Sequence, residues 1–156
     1  MSAAWLVLGL MAAPGSTCCP EPQALEPVSV AQTQVQALEG TAREVARYWA
    51  RGEMGHLGRL ISSDGVVLHL DRGGGNTPLP ARRALAALRD FLRGYETARV
   101  RVSRAVETGG SPPQGFAELE WSAVPAGTSE SVRMGVFVGF VEESEGWRVS
   151  EIRVLR

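Results

Sequence analysis

Apolar residues recur at three- and four-residue steps through Val35, Leu38, Ala42, Val45 and Trp49. That spacing predicts an amphipathic helix over 33–51, its buried face widened by Tyr48. Gly52 ends it. Leu57, Leu60 and Ile61 predict a shorter helix over 54–61, closed by the turn Ser62-Ser63-Asp64-Gly65. Over 66–70 the period falls to two. Val66, Leu68 and Leu70 take one face of a short strand, Val67 and His69 the other. Pro80 suits the first position of a third helix, which carries Leu85, Leu88, Phe91 and Leu92 before Gly94.

Beyond Gly94 the chain alternates with little interruption. Strands are predicted over 98–107, 116–124, 131–142 and 147–155, in antiparallel hairpins joined by glycine- and proline-bearing turns. Their inward positions are Val100, Val102, Leu119, Trp121, Val132, Met134, Val136, Val138 and Phe140. Outward, Arg99 and Arg101 face Glu118 and Glu120, with Arg133 beyond, which predicts cross-strand charge pairing on a wet face. Gly135 and Gly139 fall on that outer face, where a long strand bends. The alternation slips between Val149 and Ile152, predicting a bulge at Ser150-Glu151.

The first part of the chain reads differently. Residues 3–13 form an apolar run too short for a membrane span and right for a signal-peptide core, although no Lys or Arg precedes it. We therefore expect a signal or lipoprotein signal over 1–19, a proline-bearing linker over 20–32 and one domain over 33–156. The expected location is periplasmic or in the cell envelope. Membrane attachment would require acylation at Cys18 or Cys19. Gly15 or Ser16 stands where a lipobox has Leu, so simple export is preferred.

Composition narrows the chemistry mainly by exclusion. All 16 basic residues are Arg, so no lysine nucleophile or Schiff base is available. With the many Ala and Gly, this is the composition of a GC-rich bacterial gene. A net charge of −1 gives no footprint for nucleic acid. Cys18 and Cys19 lie outside the domain, and His56 and His69 have no metal-ligand spacing, so neither a metal nor another cofactor is expected. The glycine loop over 71–77 lacks the Gly-Lys-Ser/Thr of a phosphate-binding loop and is read as a loop alone.

The order of elements, with Asp90-Phe91-Leu92, Val100-x-Val102, Gly115-Phe116-Ala117, Ser131-x-Arg133-Met134-x-Val136 and Gly146-Trp147-x-Val149-x-x-Ile152, resembles the NTF2-like superfamily. The resemblance covers about residues 33–156 and is closest to uncharacterised exported bacterial members. It implies an α+β cone, with N-terminal helices packed on a curved antiparallel sheet around a cavity. SnoaL-like and ketosteroid-isomerase-like members use that cavity for catalysis, and many members dimerise through the outer sheet face.

Ketosteroid-isomerase chemistry needs a carboxylate base and a protonated donor in an apolar pocket. The inward strand positions carry no acid, which points away from an enzyme. His69 with Tyr48 is the remaining acid/base pair for an isomerase, dehydratase or hydrolase. Tyr48, Trp49, Trp121, Met134 and Phe140 are candidates to line an apolar cavity, although filling the core would need the same residues. Phe137 and Val141, apolar on the outer face, are candidates for a homodimer interface. The expectation is a non-enzymatic exported domain that binds a small apolar ligand or a protein partner.

Overall fold

The structure is a computed structural model that describes residues 30–70 and 75–155. The expected leader, most of the linker, both cysteines and residues 71–74 of the glycine loop lie outside the described residues. No helix among those described is long and apolar enough to cross a membrane.

Helix α1 spans Val30–Arg51 and buries Leu38, Ala42, Val45, Ala46 and Trp49. Val35 shares their stripe yet is 41% exposed. It stands one turn before Leu38, the first core residue of the helix, so its face meets solvent there. The helix stops in a Schellman arrangement. Gly52 adopts a φ of 66°, its N–H donates to the Trp49 carbonyl at 3.2 Å, and the Glu53 N–H donates to the Tyr48 carbonyl at 2.9 Å. The second helix is shorter than its pattern implies. Helix α2 covers Met54–Leu57, and Gly58–Leu60 tightens into a 3-10 turn. Helix α3 runs Ala81–Leu92 behind Pro80 and buries Ala84 and Leu88.

The strands are β1 (Val67–His69), β2 (Tyr95–Gly109), β3 (Gln114–Pro125), β4 (Val132–Glu143) and β5 (Gly146–Leu155). They form one curved sheet in the order β1-β5-β4-β3-β2. The expected four-strand antiparallel meander is present. The sheet also gains a fifth member: β1 joins its edge parallel to β5, with Leu68 opposite Ile152. Three irregularities in β2, at Ala98, Ser103 and Thr108, and one in β5 at Ser150 accommodate the bend. Those at Ala98 and Ser103 fall where the residue pattern alternates too cleanly to reveal them.

Helices cover the inner face of the sheet. Leu38, Trp49, Leu57, Leu88, Trp121 and Phe140 are among the fully buried side chains of one continuous core. On β3 the burial alternates strictly from Gly115 to Ala123, which fixes the register against slippage. Gly115 permits a close approach: a Cβ there would lie 2.7 Å from Leu38 Cδ2 and 3.0 Å from the Val106 carbonyl oxygen.

Candidate functional site

Trp121 organises one end of the cone. It is fully buried and packs edge-on against Trp49, with centroids 5.4 Å apart, and against Tyr95 at 5.1 Å. Phe91 from the end of α3 leans on both Tyr95 and Trp121, at 5.3 and 5.9 Å. The Trp121 indole N–H donates to Thr97 Oγ1 at 3.2 Å, so its one polar atom is satisfied inside the wall.

Beside this wall lies a pocket of about 410 Å³, lined by Tyr95, Pro125, Val132, Arg133 and Met134. Register explains the grouping. Tyr95 pairs with Pro125 across β2 and β3, Ala123 with Val132 and Trp121 with Met134 across β3 and β4. Among the described residues, pairing of β5 with β4 stops at Gly135 opposite Leu155. Val132, Arg133 and Met134 follow one another on β4 just before that pair. The volume falls near the lower end of the roughly 300–1,000 Å³ typical of small-molecule sites.

A second, polar cleft of about 160 Å³ adjoins it on the outer face, lined by Arg99, Arg101, Glu120, Ser122 and Arg133. Arg133 belongs to both. Arg101 donates from Nε and one terminal nitrogen to Glu120 Oε2, at 2.9 and 2.6 Å. This is the cross-strand charge pairing expected of that face. Arg99 and Arg133 flank Ser122 directly on the two neighbouring strands.

The sequence-derived site residues scatter. Met134 lines the pocket, and Trp121 supports it through Tyr95. Trp49 and Phe140 are buried in the core, and Phe140 pairs with Gly115, six residues along β4 from Met134. At roughly 3.4 Å per residue, six residues place it about 20 Å from the pocket. Tyr48 stands at the α1–α2 junction, its ring stacked on His56 at 5.2 Å and its hydroxyl accepting from Arg47 at 3.0 Å. His69 lies at the sheet edge with its Nε2 3.6 Å from Glu151 Oε1. Tyr48 and His69 thus have separate partners on separate elements, and the structure does not bring them together as an acid/base pair. Phe137 stacks on Phe116 at 5.3 Å and is half-buried, as is Val141.

Tyr95 and Pro125 escape the sequence pattern. Tyr95 follows a helix stop and Pro125 sits in a turn, so neither spacing marks them. Arg133 reads as one more charge on a wet face, because the alternation of β4 does not show that Tyr95 and Pro125 line the same pocket. Among the described residues the lining holds one cation and one phenol, and no carboxylate or imidazole. It can shelter an apolar group but contains no base to abstract a proton. The resolved pKa perturbation lies elsewhere. The Ser62 hydroxyl above all, with the Ser63 N–H and Arg148, holds Glu143 below its ordinary value against the opposing cost of burial.

No family model and no curated protein matches the sequence. Solved structures do match by shape. The Kfla4162 protein from Kribbella flavida is 18% identical, with a TM-score of 0.65 over 80% of this chain and 91% of its own. An NTF2 design, Rd1NTF2_04 with long sheet, is 10% identical, with a TM-score of 0.59 over 75% and 98%. An LEH-like epoxide hydrolase from M. tuberculosis is 13% identical, with a TM-score of 0.56 over 78% and 83%. The chain has the NTF2-like fold, an α+β cone of helices on a curved and mostly antiparallel sheet. At these identities the likeness concerns the fold alone.

Proposed function

We propose that this domain is a non-enzymatic binding module that holds a small apolar ligand at the mouth of the cone. The observation that carries the reading is the pocket of about 410 Å³ walled by Tyr95, Pro125, Val132 and Met134 and backed by the Trp121 cluster. Apolar walls with a few fixed polar groups are the usual character of such sites. Catalysis is disfavoured by a lining that, among the described residues, has no carboxylate or imidazole, and by the separate partners of His69 and Tyr48.

Native mass spectrometry of the full chain, purified from its own host, tests the proposal. The expected result is a mass excess that disappears on denaturation. Calorimetry with decanol supplies the second arm. A bare mass together with no decanol binding would overturn the reading. The same spectrum reads the protomer count, and so tests pairing of two copies through the outer face beside the Phe116–Phe137 stack.

A further inference from the structure

The polar cleft has more positive charge than it can neutralise. It gathers three arginines and one glutamate, and that glutamate already accepts two hydrogen bonds from Arg101. Among the described residues, Arg99 and Arg133 form no hydrogen bond or ion pair with a carboxylate. They flank Ser122 across adjacent strands. Two strand spacings separate their Cβ atoms by roughly 10 Å, close enough for long side chains to converge over the serine hydroxyl. Like charges so placed repel, and an anion between them would remove that cost. Guanidinium groups suit the task, because their planar forks match the oxygens of carboxylates and phosphates.

The place of this cleft gives it meaning. Arg133 lines both the cleft and the apolar pocket. One molecule can therefore occupy both. We propose that the ligand is an amphipathic anion: an apolar body seated against Tyr95, Pro125, Val132 and Met134, and a carboxylate or phosphate head held by Arg133 and Arg99, with Ser122 between them. This inference rests on the binding role proposed above and adds the chemical class of the ligand. It also assigns roles to three residues that otherwise read as ordinary surface.

The test uses the full chain and three probes of equal tail length, decanoate, decyl phosphate and decanol, compared by isothermal titration calorimetry. At least one of the anions is expected to bind about tenfold or more tightly than decanol, the worth of a charged hydrogen-bonded contact. Whichever anion gains more identifies the head. Arg99→Gln should remove most of that advantage while leaving decanol affinity unchanged, and Arg133→Gln, which also alters the pocket lining, should weaken the anions more than decanol. Both arginines are exposed, so neither change threatens the fold, and an unaltered urea midpoint verifies it. Added salt should weaken the anions and spare decanol. Equal affinity for all three probes would overturn the anion site and leave the apolar pocket standing. Binding of none would overturn both. An anion advantage that survives both substitutions would place the charge elsewhere and refute the assignment.

Discussion

Two glycines in the same sheet should respond to alanine with opposite signs. Gly115 is buried where β3 passes under α1, and a Cβ there would meet Leu38 Cδ2 at 2.7 Å and the Val106 carbonyl oxygen at 3.0 Å. Leu38 is fully buried and Val106 O belongs to the paired strand, so neither can withdraw freely. Overpacking of this kind costs about 1–3 kcal/mol. Against it stands the lower backbone entropy of the unfolded alanine chain, about 0.5–1 kcal/mol in favour of the variant. The net expectation for Gly115→Ala is a loss of about 1 kcal/mol. At Gly135 the nearest atom to a Cβ is Leu155 Cβ at 3.6 Å, an ordinary contact, and only the entropy difference remains. Gly135→Ala should gain about 0.5–1 kcal/mol.

Urea unfolding followed by the fluorescence of the four tryptophans reads both changes as midpoint shifts at constant slope. In thermal unfolding each kcal/mol corresponds to about 2–4 °C for a chain of this size. Leu38→Ala locates the clash, because in that background Gly115→Ala should cost less by about 0.5 kcal/mol or more. If Gly115→Ala stabilised the protein as Gly135→Ala does, the close approach of α1 to β3 would be refuted.

Two further substitutions examine the pocket wall and the sheet edge. Thr97→Val keeps the shape but leaves the buried Trp121 indole N–H without its acceptor; it should cost about 1–3 kcal/mol by urea midpoint, and Thr97→Ser should restore most of it. Glu143 ties the β4–β5 hairpin to the turn before β1, accepting from the Ser63 N–H at 3.0 Å. Its folded pKa lies below the ordinary 4.5, so its stabilising contribution is full above 4.5 and disappears as pH falls through the folded value. Glu143→Gln should therefore lower the urea midpoint at neutral pH, and the gap from the parent should close on acidification. A gap that stayed constant with pH would show that the carboxylate charge has no part in the tie.

Periodicity alone located the three helices and the four long strands, because 3.6- and two-residue repeats are local consequences of burying one face. The bulge at Ser150 was also legible, since one unpaired residue inverts the alternation after it. Arg101 and Glu120 could be read as partners once the hairpin register was assumed. The bulges at Ala98 and Ser103 were not, because Val100 and Val102 keep perfect alternation between them. Nor was the shortening of the second helix into α2 and a 3-10 turn. There Gly58 lies so near α3 that a Cβ would meet Leu85 Cδ1 at 2.6 Å, a contact between segments distant in sequence.

The candidate site divides in the same way. Trp49, Trp121, Met134 and Phe140 were identifiable as inward-facing from their own strands and helix. Whether an inward residue fills the core or lines an opening depends on what covers it, and that is decided by other elements. Phe140 is buried opposite Val149 of β5, whereas Met134, buried as well, borders the pocket beside Val132 and Tyr95. His69 and Tyr48 were plausible partners only while the parallel docking of β1 on β5 was unknown; that docking sets His69 beside Glu151. The sequence by itself determined which faces are apolar, where the chain turns and which catalytic chemistries lack their residues, since these depend on side-chain type and local spacing. Only the tertiary structure decided that Tyr95, Pro125, Val132 and Arg133 share one opening, because an opening exists where packing stops, and the place where packing stops is a property of all the elements together.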